Sequence, residues 1–206
     1  MFRQSESLGS DSLAPEIIKM SQLDMLFWPQ LYSVDESHII FEELMKRVAW
    51  RQEHIMMYGR QMKVPRLSAW HADSKRDYSY SGIQHQPNPW IEPLQSIKDK
   101  VESLSHAQFN SVLCNLYRDG SDSVAWHSDD EPELGKNPTI VSLSFGQKRV
   151  FEFRRIDDYS TKFKLALPSG SCLIMQGETQ HAWQHQIPKT TAQLQSRINL
   201  TFRFIA

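Results

Sequence analysis

The residues most able to do chemistry lie in the segment His127-Ser128-Asp129. Residues two apart on a β-strand point to the same side, so this imidazole and this carboxylate could bind one metal ion. A further histidine from a distant strand would complete a set of two histidines and one carboxylate. That set is typical of non-haem Fe(II) oxygenases, because it leaves adjacent coordination positions open. The pair alone is weak evidence, since the same spacing also occurs by chance on solvated turns.

Two histidines further along the chain, His181 and His185, are candidates for the third ligand. Their distance from His127 in the sequence does not distinguish between them. The residues Trp183-Gln184 between them favour a strand, on which both histidines would face the same side. The residues by themselves therefore leave the choice open.

The C-terminal segment predicts a strand with one polar face and one apolar face. Such a polar face could simply meet solvent. It could also form a wall that binds carboxylates, because the planar fork of an arginine matches a carboxylate and two arginines suit a dicarboxylate. Asn115 and Tyr117, on an earlier strand, could add neutral hydrogen bonds to the same ligand. The polar face consists of Arg197, Asn199, Thr201 and Arg203, and the apolar face of Ile198, Leu200 and Phe202.

The elements that would position these residues are mostly short strands. Gly, Pro, Asp and Asn turns separate the strands at intervals of about ten residues, as in two-sheet β architectures such as the jelly roll. Two helices are predicted before them, over 37–50 with Ser37 as the N-cap and over 90–103 with Pro93 in the first turn. Residues 51–90 suit short strands and exposed loops. The predicted strands are 109–117, 123–129, 139–145, 149–154, 162–167, 171–176, 181–187 and 197–205.

Composition limits the class of protein. The chain has 206 residues and a formal net charge of −1, which indicates one structural domain and excludes a wholly basic nucleic-acid binder. No run approaches the length of a membrane span and no signal peptide is expected, so we expect no membrane partner. The two cysteines, Cys114 and Cys172, are too few for a disulfide framework or a thiolate zinc site. A cytoplasmic monomer is therefore expected.

The joint set of motifs resembles the AlkB family of Fe(II)/2-oxoglutarate dioxygenases, especially the branch that repairs alkylated nucleic acid. The resemblance runs over 65–205 and implies a double-stranded β-helix fold of the jelly-roll type, mainly β within the α+β class. In the family the distal histidine lies twelve residues before the first arginine of the C-terminal motif, and His185 stands twelve residues before Arg197. The resemblance thus selects His185 over His181. The matching stretches are Asn115-Leu116-Tyr117, His127-Ser128-Asp129-Asp130-Glu131, Ser142-Leu143-Ser144-Phe145-Gly146, Trp183-Gln184-His185 and the RxNxTxR pattern of 197–203.

The resemblance also assigns roles at the centre. It implies that His127, Asp129 and His185 bind Fe(II), with 2-oxoglutarate and O₂ as cosubstrates and no catalytic residue beyond the iron centre. Arg197 would pair with the remote carboxylate of 2-oxoglutarate, although which arginine meets which carboxylate stays open. Asn199 and Tyr117 would help Arg197 to bind this carboxylate. Arg203 and Asn115 would lie nearer the end of 2-oxoglutarate that chelates the metal, and Thr201 would line the same wall.

An N-terminal region would hold the substrate. We expect a disordered tail over 1–24, an N-terminal extension with a nucleotide-recognition lid over 25–108, and the oxygenase core over 109–206. Segment 46–78 combines eight basic residues with three acidic ones and several aromatics, which suits phosphate contact and base stacking. An ordinary solvated edge with core aromatics is the alternative. The basic residues are Lys46, Arg47, Arg51, Arg60, Lys63, Arg66, Lys75 and Arg76, and the aromatic residues in and beside the segment are Trp50, Tyr58, Trp70, Tyr78 and Tyr80.

Individual substrate contacts follow from the resemblance. Tyr78-Ser79-Tyr80 matches the stretch beside the flipped base, with Tyr80 as the stacking residue. Tyr58-Gly59-Arg60 matches a loop that touches nucleic acid. Of Asp130 and Glu131, one would anchor the centre and the other would accept a hydrogen bond from an exocyclic amine. Alternatively, both acids only tune the charge at the metal.

The implied function is an oxidative demethylase that acts on 1-methyladenine and 3-methylcytosine in DNA. Hydroxylation of the N-methyl group would release formaldehyde and the unmodified base, while 2-oxoglutarate yields succinate and CO₂. RNA, a protein or a small molecule is the alternative substrate, and a binding module that has lost catalysis is a third reading. The complete ligand set argues against the third reading, and the basic aromatic lid argues against a small molecule. The residues do not distinguish DNA from RNA, or single strands from duplex.

Overall fold

The computed structural model describes residues 14–57, 59–73, 78–80, 83–85 and 87–206, and for residue 57 and the two segments 78–80 and 83–85 it describes the backbone only. Three helices are α1 (Val34–Arg47), α2 (Glu92–Ser105) and α3 (Thr179–Ala182), and a short 3-10 turn covers Pro132–Leu134. The strands are β1 (Glu16–Met20), β2 (Leu23–Trp28), β3 (Arg51–Met57), β4 (Arg60–Ala72), β5 (Tyr78–Tyr80), β6 (Ile83–His85), β7 (Ser111–Tyr117), β8 (Val124–His127), β9 (Ile140–Gly146), β10 (Arg149–Arg155), β11 (Lys162–Leu167), β12 (Ser171–Gln176), β13 (Trp183–Ile187) and β14 (Arg197–Arg203).

The strands form two antiparallel sheets. The major sheet has the order β1-β2-β12-β9-β14-β7-β4-β3, and the minor sheet has the order β11-β10-β13-β8. Strands that are distant in the sequence therefore become neighbours, as in a jelly roll. The predicted mainly-β, two-sheet architecture is confirmed, and β5 and β6 pair separately as a small hairpin.

Two apolar layers hold this architecture together. One lies between the major sheet and the two long helices, and it includes Leu44, Ile97 and Leu200. The other lies between the two sheets and includes Met25, Phe153 and Trp183. The central strands of the major sheet, β12, β9, β14 and β7, are therefore buried on both faces, and a polar side chain on their inner face must find its partners inside the protein.

The N-terminal prediction needs a correction. The disordered tail expected over 1–24 is wrong for residues 16–24, because β1 and β2 form a hairpin that extends the major sheet. Leu23, Met25 and Phe27 alternate along β2 and bury their side chains between the sheets, which stabilises the hairpin. Residues 1–13 lie outside the described part of the chain.

Helix α1 begins earlier than predicted. Its N-cap is Ser33, whose side chain accepts from the backbone of Glu36 while the Glu36 side chain accepts from the backbone of Ser33. This reciprocal capping box satisfies two backbone donors at the start of the helix. The predicted cap, Ser37, is instead buried in the first turn, and its hydroxyl donates to the carbonyl of Tyr32 at 3.4 Å.

Segment 51–90 is also more regular than predicted. β4 is 13 residues long and pairs with β3 on one side and β7 on the other. Its second half is a member of the major sheet, and its first half continues with β3 as a hairpin around Gly59, whose φ of +73° suits glycine. Among the described residues, no helix is long and apolar enough to cross a membrane.

Candidate active site

The side chains of His127, Asp129 and His185 meet between the sheets. His185 on β13 pairs directly across from His127 at the end of β8, so antiparallel pairing places the two imidazoles side by side, with ring centroids 4.3 Å apart. Asp129 follows two residues later. One ligand atom from each residue lies within 4.8 Å of the other two, which is close enough for one cation to contact all three.

Hydrogen bonds hold both the side chain and the backbone of Asp129 in place. Arg203 donates to Oδ1 of Asp129. The backbone N–H of Asp129 donates to Oε1 of Gln180 at 3.0 Å. Burial by itself would raise the pKa of Asp129, but the neighbouring positive charge, chiefly that of Arg203, outweighs this effect and lowers the pKa. Asp129 is therefore ionised, as a metal ligand must be.

The two imidazoles can each present a ring nitrogen to a cation. Burial, together with the neighbouring His127, lowers the pKa of His185 to about 3. Nδ1 of His127 lies 2.8 Å from the carbonyl oxygen of Ala125, which can only accept, so Nδ1 carries the proton. Nε2 is consequently the nitrogen of His127 that a cation would contact.

His181 lies apart from this cluster. It belongs to α3 and its side chain is exposed, and its Nε2 accepts from the backbone N–H of Asn137 at 3.3 Å. The predicted strand over 181–187 is therefore wrong at its start, because β13 begins at Trp183. The three-residue cluster includes His185 and leaves out His181.

Arg197 is the most deeply buried cation of the polar wall. Only 1% of it is exposed, and its Nη2 donates to Oγ of Ser144 at 2.9 Å. Nε and Nη1 are also buried and have no hydrogen-bond partner among the described residues. Burial lowers the pKa of Arg197 to about 10. A guanidinium with two unsatisfied donors is unfavourable inside a protein, and a bound carboxylate would satisfy both.

The rest of the wall is buried as well. Thr201 donates to Oδ1 of Asn199 at 3.1 Å, and Nδ2 of Asn199 donates to Oγ of Ser142 and to the carbonyl of Leu143. The alternation predicted for the C-terminal strand is present, with Ile198, Leu200 and Phe202 in the layer on the helix side. The alternative of a solvent-facing polar face is wrong, because every residue of β14 is buried.

Sequence reasoning missed Arg66 as a cavity residue. We predicted that it belongs to an exposed basic face, but it is only 9% exposed and lines the cavity. Its Nε donates to Oδ1 of Asn115 at 2.8 Å and its Nη1 to the carbonyl of Ser123 at 3.2 Å. Its position in the alternating run Val64-Pro65-Arg66-Leu67-Ser68 was the available signal.

The metal cluster, the polar wall of β14 and Arg66 line one cavity between the sheets. Apolar side chains from both sheets, which the sequence did not single out, cover much of its wall. The lining residues are Arg66, Leu113, Asn115, Tyr117, Val124, His127, Asp129, Ser142, Phe151, Leu167, Met175, His185, Ile187, Arg197, Asn199, Thr201 and Arg203.

The two acids after Asp129 differ in their surroundings. Asp130 is exposed, whereas Glu131 is half-buried at the start of the 3-10 turn. Burial is the main cause that raises the pKa of Glu131, and Oε2 of Glu131 accepts no hydrogen bond from the described residues. Neither acid belongs to the lining that the described residues form.

Only some of the basic residues predicted to form an exposed face are exposed on one element. Arg51, Arg60 and Lys63 are exposed on the β3–β4 hairpin. Lys46 and Arg47 lie instead at the end of α1, where they pair with acidic side chains. Trp50 and Trp70 pack against the two apolar layers and are not exposed platforms. The predictions for Tyr58, Lys75 and Arg76, and those for the side chains of Tyr78, Ser79 and Tyr80, lie outside what the structure describes.

Comparison with known proteins places this architecture in a family. The family model of the 2OG-Fe(II) oxygenase superfamily matches residues 24–203. The chain is 42% identical over 187 residues to the alpha-ketoglutarate-dependent dioxygenase alkB homolog 3 of Mus musculus, which covers 86% of this chain and 65% of that protein. It is 35% identical over 215 residues to the DNA oxidative demethylase ALKBH2 of Homo sapiens, covering 98% of this chain and 82% of that protein.

A solved structure agrees with these matches. OsALKBH1 has a TM-score of 0.63 to this structure at 20% identity, over 87% of this chain and 96% of that chain, which shows a shared fold. The chain spans slightly less than two thirds of the length of the alkB homolog 3 proteins it matches. The family-model match and the identities to two kinds of AlkB relative show that the chain belongs to the AlkB family of Fe(II)/2-oxoglutarate-dependent dioxygenases.

Proposed function

We propose that the protein is an oxidative demethylase that removes N-methyl groups from 1-methyladenine and 3-methylcytosine in DNA. Formaldehyde, succinate and CO₂ would be its products. The observation that carries this proposal is the cavity, in which the cluster of His127, Asp129 and His185 shares one space with the partly unsatisfied guanidinium of Arg197. A cation site and a carboxylate site in the same cavity fit a metal that is chelated by 2-oxoglutarate.

His127, Asp129 and His185 would hold Fe(II). The bound iron, with 2-oxoglutarate and O₂, supplies the oxidant that hydroxylates the N-methyl group. Arg203 keeps the carboxylate of Asp129 oriented toward the cluster, and Gln180 holds the backbone of Asp129 in place. A ligand fixed in this way need not reorganise when the metal binds.

Arg197 would bind the remote carboxylate of 2-oxoglutarate. Tyr117 lies beside it, since the guanidinium carbon is 5.1 Å from the centre of the phenol ring. Asn115 would lie nearer the metal, with its amide oriented by Arg66, and Asn199 and Thr201 would complete the wall. The apolar side chains between these groups would keep water away from the reacting atoms.

The substrate base must leave its stack to reach a cavity between two sheets. The exposed Arg60 and Lys63 of the β3–β4 hairpin would contact phosphates. Tyr80 would stack on the extruded base, and Tyr58, Gly59, Tyr78 and Ser79 would form the rest of the lid, as the resemblance implies. Glu131 or Asp130 would accept a hydrogen bond from the exocyclic amine, and the unpartnered Oε2 of Glu131 suits that role.

Two observations support nucleic acid, and DNA in particular, as the substrate. The exposed basic hairpin extends from strands of the major sheet that also line the cavity, since Arg66 lies on β4. In addition, the human relative ALKBH2 is named a DNA oxidative demethylase, and this name favours DNA over RNA.

Mass spectrometry of oligonucleotides tests the proposal. The protein is incubated with Fe(II), 2-oxoglutarate and ascorbate, and with DNA or RNA strands that carry a single 1-methyladenine or 3-methylcytosine. We expect DNA to lose the methyl group only when 2-oxoglutarate is present and to remain unchanged with His127→Ala. Demethylation of RNA alone would contradict DNA as the substrate. Succinate production without demethylation of either strand would contradict 1-methyladenine and 3-methylcytosine as the substrate bases. Absence of succinate in every reaction would contradict the oxygenase activity itself.

A further inference from the structure

Arg149, the first residue of β10, is a buried cation outside the cavity lining. It is 4% exposed, and its guanidinium donates to three backbone carbonyls. Nη1 donates to Asp119 at 3.1 Å, while Nη2 donates to Asp122 at 3.0 Å and to Pro188 at 2.7 Å. Arg149 therefore joins the loop that follows Tyr117 to the segment that follows β13.

The same guanidinium lies over the ring of Tyr117. The guanidinium carbon of Arg149 is 5.7 Å from the ring centroid, and that of Arg197 is 5.1 Å from it. Tyr117 pairs directly with Arg197 across β7 and β14 and lines the cavity. One buried aromatic ring therefore contacts two buried guanidinium groups, one lining the cavity and the other outside its lining.

This arrangement brings two cations close together in the interior, although the carboxylates of Asp122 and Asp119 partly balance the charge of Arg149. Burial is the main cause that lowers the pKa of both arginines, and their mutual repulsion adds to it for Arg197. A carboxylate at Arg197 would offset the repulsion between the two cations.

We propose that Arg149 is a positioning residue for the cosubstrate, which holds the Tyr117 ring against Arg197 and favours 2-oxo acids that carry a second, remote carboxylate. The inference rests on the proposed function, because it takes 2-oxoglutarate as the ligand of Arg197. Arg149 and Arg197 contact the same ring, and a second charge at that separation from the ligand of Arg197, in a partly desolvated setting, corresponds to roughly a three- to tenfold change in affinity.

Two ligands and two substitutions separate this role from a structural one. The ligands are 2-oxoglutarate and 2-oxopentanoate, which have the same chain length, but only the former has the remote carboxylate. Arg149→Gln removes the charge and keeps an N–H donor for the loop carbonyls, whereas Arg149→Lys keeps the charge. The matched control is Arg154→Gln, on the same strand, where Arg154 stacks on Trp126 and Tyr159 outside the cavity. Isothermal titration calorimetry on the Mn(II)-loaded protein without O₂ measures both affinities.

We expect Arg149→Gln to weaken 2-oxoglutarate binding by roughly three- to tenfold and to leave 2-oxopentanoate binding nearly unchanged. Arg149→Lys should keep most of the preference for the dicarboxylate, and Arg154→Gln should keep all of it. An equal loss for both ligands in Arg149→Gln would mean that Arg149 only clamps the loops, and an unchanged preference would also overturn the proposal.

Two further results keep the test decisive. If Arg149→Gln does not fold, complete loss of the preference in Arg149→Lys would overturn the proposal, because the charge is still present there. If the wild-type protein with Mn(II) does not bind 2-oxoglutarate at all, the proposed function fails, which is distinguishable from a failure of Arg149 alone.

Discussion

Arg197 and Arg203 occupy the two ends of one strand face, and their surroundings give them different tasks. Arg203 donates to Asp129, so much of its charge is balanced by a residue of the metal cluster. Arg197 forms no ion pair with the described residues, and it has one hydrogen bond to Ser144 and two buried N–H groups that these residues do not satisfy. This difference favours Arg197 as the binder of the remote carboxylate and Arg203 as the residue that fixes a metal ligand.

The first prediction concerns the metal cluster. His127→Ala, Asp129→Ala and His185→Ala should each abolish tight Fe(II) binding and turnover, because two protein donors hold a divalent cation much less well than three. His181→Ala should keep both, since His181 lies on α3 and contacts Asn137 instead. Metal content after gel filtration and succinate release are the measurements. Loss of iron from the His181 variant would contradict the assignment.

The second prediction concerns Arg197. Arg197→Lys should weaken 2-oxoglutarate binding although the charge is kept, because an ammonium cannot present two parallel donors. A charge-assisted hydrogen bond in such a setting contributes about 1.5–3 kcal/mol, so we expect a loss of affinity of roughly tenfold or more. Titration of 2-oxoglutarate into the Mn(II)-loaded variant measures it, and an affinity equal to that of the wild type would exclude Arg197 from the cosubstrate site.

The sequence predicted individual site residues correctly where residues of a suitable chemical type also followed the alternation of a strand. The pair His127 and Asp129 and the polar face of β14 could be read directly from spacing. The choice between His181 and His185 could not, because it depends on where β13 begins, and only the family resemblance selected His185. The prediction that Arg66 is exposed was wrong, because a basic residue in a basic segment is normally expected at the surface. Pairing of β4 with β7 instead places Arg66 in the lining of the cavity.

Among the secondary-structure elements, the β3–β4 hairpin combines two environments along one pair of strands. The second half of β4 is buried in the major sheet, whereas the first half is exposed and carries Arg60 and Lys63. A rigid base with an exposed basic end suits a contact with the nucleic-acid backbone near the cavity.

The third prediction follows from this hairpin. Neutralising Arg60 and Lys63 to glutamine should flatten the salt dependence of binding to a methylated oligonucleotide, by about one unit of slope for each lost phosphate contact. The effect should be similar for 1-methyladenine and 3-methylcytosine, because phosphate contacts do not read bases. Fluorescence anisotropy over a series of KCl concentrations measures the slope.

Lys46→Gln is the control for that experiment. Lys46 is exposed on α1, which packs on the side of the major sheet away from the cavity, and it pairs with Glu42 at 3.9 Å. The salt dependence of oligonucleotide binding by the Lys46→Gln variant should have the same slope as that of the wild type. If the hairpin variant also keeps the wild-type slope, the exposed basic end is an ordinary solvated edge.

The elements themselves were predictable where turns are frequent and strands alternate. The strands from β7 onward agree with the predicted segments to within a few residues, with α3 as the exception. The N-terminal hairpin was missed because a polar flanking segment obscured the alternation of Leu23, Met25 and Phe27. The start of α1 was missed because Ser33 and Ser37 are both plausible caps, and only the reciprocal bond with Glu36 distinguishes them.

The whole molecule explains why such distant residues meet. The major sheet supplies Arg66, Tyr117 and Arg197, and the minor sheet supplies His127 and His185, so the cavity exists only when both sheets are assembled. These pairings join residues far apart in the chain, and no local pattern predicts them. The consequence is that several charged groups are buried together at the interface of the sheets, where a ligand of opposite charge should stabilise the fold.

The last prediction measures that stabilisation. At 100 times its dissociation constant, a ligand that binds only the folded protein adds about 2.7 kcal/mol, which corresponds to a rise in Tm of roughly 5–11 °C for a domain of this size. We expect Mn(II) with 2-oxoglutarate to produce such a rise without O₂, and EDTA to reverse it. 2-Oxoglutarate without metal should produce a much smaller rise, because only Arg197 and its neighbours would then contact it. The rise in Tm is measured by differential scanning fluorimetry. If 2-oxoglutarate raises Tm equally with and without Mn(II), the cosubstrate does not chelate a metal at His127, Asp129 and His185. In the His127→Ala variant, the difference between the two conditions should disappear.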